Sequence, residues 1–406
     1  MSNAPTRPSE KREQARIGRL LQHFLHNEAA GGIIMICCAA LALVLANGSG
    51  ANQYHAFVEA PLQFSIGSMG LKMSLEHFVK DVLMAVFFLL VGMELKREML
   101  EGFLSSMGQR ILPGIAAIGG IVAPALIYRW VNADLPAHAA GWAIPTATDI
   151  AFAVCVLALL GKRVPTAIKI FLLAIAIYDD LAAILIIALF YSGGVATAPL
   201  AVAGAITICM AILSRRGIGV LPLYLLLGAG LWEAVHQAGI HTTVAGMITG
   251  LCIPLRPNAK DSESPLNRLM HFLHPWVAFG ILPLFAFVSA GVGLQGLSVG
   301  SLLAPLPLGI ALGLLLGKPL GIFGATMLAV ALRLAPKPDG ANWAMLLGVA
   351  IIAGIGFTMS LFIGFLAFDD AGLHDAVKIG VMGGSLAASL LGAGVMALAV
   401  RGDRMT

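Results

Sequence analysis

Of the 406 residues, 59% are hydrophobic and only 11% are charged, against about 25% charged in ordinary globular chains, which excludes a soluble protein and favours a polytopic membrane protein. Forty-seven Gly and twenty Pro suit membrane helices, which carry both more often than soluble helices do. The net charge of +4 is too small a surplus to indicate nucleic acid as a partner.

Residues 1–28 form a polar, basic tail with Arg7, Lys11, Arg12, Arg16 and Arg19. They lead into apolar residues 29–46, longer than a signal-peptide core usually is and therefore read as a retained first span. Windows of about 20 mostly apolar residues are enough to cross a hydrocarbon core of about 30 Å. They recur at 75–95, 111–131, 141–160, 165–190, 198–213, 218–235, 240–255, 275–293, 308–332, 344–367 and 377–400. The expected fold is all-α, with about 12 transmembrane helices in a single transmembrane domain, 29–400, and a short tail, 401–406. Between the first two spans, residues 64–75 alternate loosely apolar and polar around Gly67, Ser68 and Gly70. They are read as a small extracytoplasmic β-hairpin or an ordinary loop, outside the bilayer, where a strand edge can pair with another subunit. Cys37, Cys38, Cys155, Cys209 and Cys252 lie in apolar stretches without CxxC spacing, so neither a disulfide framework nor zinc is indicated, and no cofactor is expected.

Lys and Arg accumulate on the cytoplasmic side of membrane proteins. With both termini cytoplasmic, that side collects the tail, Lys96, Arg97, Arg110, Lys162, Arg163, Lys169, Arg215, Arg216, Arg256, Lys260, Arg268, Arg333, Lys337, Arg401 and Arg404. The opposite side holds Lys72, Lys80, Arg129 and Lys378, and Lys318 falls in mid-span. Two triplets of spans, 111–190 and 308–400, share a disruption of the middle helix. In the first, Pro145 is followed by Thr146, Thr148 and Asp149; in the second come Gly354, Gly356, Thr358 and Ser360. Corresponding interrupted helices point to a transport site.

The residues most costly to bury are Asp149, Asp179, Asp180 and Lys318, each near the middle of its span. At about 2.5–3.5 kcal/mol per charge they would together oppose insertion by on the order of 10 kcal/mol if left alone. Pairing, protonation or a water-filled cavity relieves that cost. Asp179 and Asp180 are adjacent, so on a helix their side chains diverge by about 100° and one can meet a base while the other faces a cavity. Lys318 is the only basic residue at that depth and is the natural partner, with Pro319 biasing its helix to kink there. Asp149, with Thr148 beside it, lies on an interrupted helix whose freed carbonyls, with carboxylates and hydroxyls, suit a small hard cation such as Na⁺. Protons compete for the same carboxylates, and competition at a site that opens to one side at a time is sufficient for exchange. The bland alternative is a buried ion-pair network that only fixes helix packing, a reading that stays open for Asp81, about a third of the way into its span.

At these residues the chain resembles the NhaA-type sodium/proton antiporters, from the first span to the last. The resemblance rests on VFFLLVGMELKRE (86–98), GWAIPTATDIAFA (141–153), FLLAIAIYDDLAAI (171–184), HPWVAFGILPLFAF (274–287), GKPLGI (317–322) and GIGFTMSLFI (354–363). The rule linking paired interruptions to a transport site was itself drawn partly from that family. The resemblance implies inverted-topology repeats with crossed broken helices and a bacterial inner-membrane protein. It implies Asp179 and Asp180 as the pair that binds Na⁺ or Li⁺, Asp149 and Thr148 beside it, and Lys318 paired with Asp179. Two acids rather than an Asn-Asp pair resemble the electrogenic members, which import more protons than the cations they export. A homodimer formed partly through the hairpin 64–75 is also implied, as is pH regulation through Glu94, Arg97 and Glu98 and through Arg268, His271 and His274. Such clusters equally often serve as solvated helix ends, although histidines titrate where cytoplasmic pH varies. The chain departs from the family at Met270, where an acid is frequent; at Tyr178, which adds a hydroxyl near the pair; and at Ala182, in place of a glycine. Two rivals remain. An intramembrane aspartyl protease would use Tyr178-Asp179 but lacks its second GxGD element, and a cation channel would need an open polar path.

Overall fold

The computed structural model describes residues 29–66, 69–102, 107–256, 263–294 and 298–402. The basic tail 1–28, the hairpin tip 67–68 and residues 403–406 lie outside them. Helix α1 (Ala29–Asn47) is followed by a short helix α2 (Ala51–Val58) and by the antiparallel strands β1 (Pro61–Ile66) and β2 (Met69–Ser74). The hairpin therefore starts at Pro61, earlier than the alternation at 64–75 indicates. It ends where the Ser74 hydroxyl accepts from His77 N at 3.2 Å and caps the next helical turn. A π turn, Val79–Leu83, opens into α3 (Met84–Leu100), and α4 (Met107–Val131) returns. Next come the 3-10 segment Pro136–Thr146 and α5 (Ile150–Leu159), bent by 46°, then α6 (Thr166–Phe190), α7 (Thr197–Arg215), α8 (Leu221–Gln237), α9 (Thr243–Cys252) and α10 (Pro265–Ala290). After α11 (Pro305–Ala331), helices α12 (Trp343–Ile352) and α13 (Phe357–Ala367) form a second pair, bent by 44°, and α14 (Ala371–Arg401) closes the chain.

Seven of these helices are long and apolar enough to cross a bilayer alone, and the bent pairs raise the number to nine. With the shorter passages α3, α8 and α9 the described chain makes twelve, as the hydropathy indicates. Helix α9 is shorter than its apolar window, 240–255. Pro254 clashes with a helical residue before it, and Ile253 accordingly adopts φ −60°, ψ 131°. The carbonyls left at this end are met from α3, where Lys96 Nζ donates to Leu251 O at 2.9 Å and Ile253 O at 2.6 Å. Large apolar side chains such as Val44, Leu126, Leu226 and Leu398 are exposed, the arrangement required when the surrounding solvent is hydrocarbon.

Lipid gives no hydrophobic drive between helices, so their association depends on close backbone approach at small residues. At the α4–α11 crossing a Cβ on Gly321 would lie 2.0 Å from Gly119 O, and one on Gly119 2.3 Å from Gly321 O. Gly246 and Gly250 of α9 approach Ala85 O and Leu89 O of α3 in the same way, at 2.0 and 2.4 Å. Gly321→Ala is expected to destabilise the protein by about 1–3 kcal/mol, because backbone rather than a pliable side chain must yield. Gly324→Ala, one turn on, adds a methyl with nothing within 4 Å and should leave the melting temperature in detergent unchanged. Equal melting of the two variants would contradict this packing.

Proline placement follows the π turns. Pro283 and Pro319 each fall at the start of the α-helical stretch after a π turn, Val277–Ile281 and Gly313–Gly317, where the regular i→i−4 ladder is already interrupted and the missing N–H removes little. The deviation expected from Pro319 is therefore prepared one turn earlier, and it delivers Lys318 to the interior.

Candidate ion-binding site

The two broken helices cross at their breaks and satisfy each other there. A half-helix that ends inside the protein leaves backbone donors or acceptors that water cannot reach. Asp149 N donates to Ile355 O at 2.7 Å, Thr148 Oγ1 lies 2.8 Å from Ala353 O, and Ser360 Oγ donates to Ile144 O at 2.7 Å. Three of the carbonyls expected to be free for a cation, those of Ile144, Ala353 and Ile355, thus take part in holding the crossing. The two facing helix N-termini share one carboxylate. Asp149 Oδ1 accepts from Phe152 N at 2.9 Å and caps α5, while Oδ2 accepts from Thr358 N at 3.0 Å and Thr358 Oγ1 at 2.6 Å in α13. A negative group at two helix starts offsets the partial positive charge that each presents.

Asp179 and Asp180 both lie on α6 and are 1% exposed, and their side chains diverge as adjacent helical residues must. Asp179 Oδ2 is ion-paired with Lys318 Nζ, which also donates to Thr148 Oγ1 at 2.9 Å. The Thr148 hydroxyl lies 2.6 Å from the same Asp179 oxygen. It has one proton, so it donates to Asp179 or to Ala353, not to both. Lys318 has no solvent exposure, and a charge so placed is tolerated only with a partner.

Asp180 faces the other way, into a cavity of about 50 Å³ lined also by Glu94, Asp149, Leu173, His274 and Thr358. Its Oδ1 is buried without a hydrogen-bond partner, as is Asp179 Oδ1. An anionic oxygen in that state carries a high desolvation cost, which a cation or a proton would relieve. Among the described residues no three His, Cys, Asp or Glu side chains converge as a resident metal would require. Cargo that must leave again at every turn needs no such closed shell. One turn beyond Thr358 on α13 lies fully buried Phe362, with Phe88 at 5.8 Å and Phe285 at 6.2 Å between ring centres. His241 meets Phe362 edge-on and lies 3.6 Å from Asp81, which gives Asp81 a partner just before α9.

The six charged residues that the resemblance implies for pH regulation are placed differently. Glu94 and His274 line the cavity with Asp180. Glu98 is largely buried and 3.4 Å from Arg97, whereas Arg268 and His271 are exposed on α10. His271 Nδ1 lies 2.9 Å from Glu263 Oε1, an acid the motif reading did not include. Met270 is 3% exposed and packs into the core with Leu266 and Leu269, so its helical position faces inward, on the side that carries His274 one turn on and away from exposed His271. Tyr178 lies over Gly114 of α4, whose Cβ would be 3.8 Å from its ring, and is not among the cavity-lining residues. Thr358 was visible only as one polar residue of an interrupted helix. Ser385 gave no signal at all, because a serine among small residues in a membrane helix is ordinary.

The family model for Na⁺/H⁺ antiporter 1 matches residues 22–396. The Na⁺/H⁺ antiporter NhaA of Pseudomonas putida (strain GB-1) is 50% identical over 388 residues, covering 95% of this chain and 99% of its own. That of Paramagnetospirillum magneticum is 52% identical over 378 residues, 93% of this chain and 96% of its own. That of Bordetella parapertussis is 51% identical over 392 residues, 96% and 97% of the two chains. The matched residues include both bent helix pairs and the buried acids, and the chain belongs to the Na⁺/H⁺ antiporter 1 family.

Proposed function

We propose that the carboxylates at the crossing are where this antiporter exchanges Na⁺ for H⁺, with Asp180 as the principal ligand. The observation that carries this reading is the fully buried Asp180 side chain, one oxygen unpartnered, lining a cavity with Asp149 and Thr358. Na⁺ prefers oxygen ligands, and Asp149 and Thr358 add a carboxylate and a hydroxyl at that depth. Asp179 is held by Lys318 and Thr148 and acts as the second proton-taking acid, released from Lys318 when the site is neutralised. Li⁺, smaller and equally hard, competes for the same oxygens.

Glu94 and His274 line the cavity, and their helices carry Lys96, Arg97 and Arg268 within two turns of them, which marks that end of the bundle as basic. This is the cytoplasmic side by the distribution of basic residues, with both termini on it and the bacterial inner membrane as the location. Phe88, Phe285 and Phe362 close the other side, so a cation entering from the cytoplasm waits until the crossing turns outward. Two acids that take protons against one Na⁺ make the cycle electrogenic, and each net charge gains about 2.3 kcal/mol per 100 mV. Glu94 and His274 at the mouth place a titratable carboxylate and imidazole where they can tune access by pH. The hairpin 61–74 offers the strand edge through which two copies pair.

In inverted membrane vesicles acidified by respiration, Na⁺ and Li⁺ should dequench a pH-reporting dye while K⁺ does not, and collapse of the membrane potential should change the rate. A response to K⁺ equal to that for Na⁺, or one insensitive to potential, would contradict respectively the selectivity and the electrogenic cycle. The protease reading lapses with the family, whose members are transporters.

A further inference from the structure

Helix α13 begins in the protein interior, where each leading backbone N–H needs an acceptor. Thr358 N goes to Asp149 Oδ2 at 3.0 Å. The two donors before it do not. Gly356 N and Phe357 N both reach the hydroxyl oxygen of Ser385, at 3.2 and 3.1 Å. Ser385 is 2% exposed and lies on α14, a helix that supplies none of the cavity-lining residues. The hydroxyl of a helix that lines no part of the cavity thus completes the start of the half-helix that carries Thr358.

The division of donors matters because Asp149 has limited capacity. A carboxylate offers about four acceptor positions, and Phe152 N, Thr358 N and Thr358 Oγ1 already draw on it. Every further donor aimed at Asp149 competes with an arriving cation for the same negative charge. Without the serine oxygen, the N–H groups of Gly356 and Phe357 would be buried without an acceptor, and the carboxylate that already takes the next N–H of the chain is the acceptor at hand.

We infer that Ser385 is a positioning residue for exchange. By taking the two leading N–H groups of α13 it keeps them off Asp149 and holds Thr358 in register with the cation site. It touches no ion. Its effect is on how strongly Asp149 attracts one, so it acts on the apparent affinity for Na⁺ and not on the rate at saturation. The inference rests on the assignment of Asp149 to the cation site.

The test measures exchange in inverted vesicles against Na⁺ concentration for Ser385→Ala, Ser385→Cys, Ser385→Thr, Ser389→Ala and Asp149→Asn. Alanine removes the acceptor, and cysteine keeps the volume with a weak one. Both should raise KM for Na⁺ roughly tenfold, as loss of a buried hydrogen-bond partner does, with the maximal rate within about twofold of wild type. Threonine keeps the hydroxyl and should restore most of the affinity. Ser389 bonds only Leu386 O of its own helix, at 2.8 Å, and its alanine variant should retain the wild-type KM. If Asp149→Asn exchanges with an unchanged KM, the site assignment fails, and the inference with it. Should Asp149→Asn impair exchange while Ser385→Ala and Ser385→Cys keep the wild-type KM, the positioning role alone is overturned. Recovery of only unfolded protein for both, beside a folded threonine variant, reduces Ser385 to a structural cap and likewise overturns it.

Discussion

Asp180→Asn is expected to abolish Na⁺-driven proton movement in inverted vesicles while leaving the amount and melting temperature of the protein close to wild type. The substitution keeps the side chain's shape and removes its charge. In the fold Asp180 Oδ1 makes no hydrogen bond, so little structure depends on it and Asn replaces it without breaking a partner. The cost falls on the cation. A dehydrated Na⁺ in a cavity shared with leucine and phenylalanine side chains needs the full negative charge, and loss of one partner from a buried charge contact amounts to about 3–5 kcal/mol. That corresponds to an affinity lower by a factor of at least about 100. The same variant cannot take up a proton, so both halves of the cycle stop together. Full exchange by Asp180→Asn, at normal expression, would move the site to Asp149.

Lys318→Ala should act on stability more than any other single change in the transport core. It leaves the Asp179 carboxylate, 1% exposed, with the Thr148 hydroxyl in place of an ammonium. Breaking a buried pair by removing one partner is destabilising by about 3–5 kcal/mol, far more than the pair itself contributes. The sign of the pH dependence follows. At neutral pH the variant must either keep an uncompensated buried charge or bind a proton that the unfolded chain does not hold, so acidification stabilises its folded form relative to the unfolded one. The difference in melting temperature between variant and wild type should therefore be largest at neutral to alkaline pH and shrink as pH falls toward the ordinary range of a carboxylate. A gap independent of pH would mean that Lys318 contributes mainly by packing its aliphatic stem.

Much of this was legible in the chain because burying charge is costly. Four ionisable residues in mid-span, two interruptions in corresponding helices and a basic residue next to a proline define the chemistry before any fold is known. The structure places Lys318 against Asp179 and turns Asp180 to the cavity, the division that a 100° step between adjacent helical residues requires. What stayed illegible depends on tertiary contacts. The breaks themselves read as sources of free carbonyls, yet those of Ile144, Ala353 and Ile355 face groups of the opposite break. Nor does periodicity show the π turns that precede Pro283 and Pro319, since a single extra residue in a turn leaves an all-apolar pattern unchanged. Glu263 reaches His271 across eight positions of the chain, and the buried face at Met270 follows from the packing of α10 on its neighbours, neither of which a motif records. Ser385 is the extreme case, a common residue made important by two backbone donors nearly thirty positions away in the chain.

The proposed exchange requires one carboxylate site that Na⁺ and H⁺ occupy alternately. The most direct measurement is proton release on Na⁺ binding by the purified protein in weak buffer near neutral pH, followed by a pH-sensitive dye beside calorimetry. Na⁺ should release protons from the wild type in proportion to the sites filled, Li⁺ should do the same, and Asp180→Asn should release none. Saturable Na⁺ binding without proton release, or release undiminished in Asp180→Asn, would contradict it.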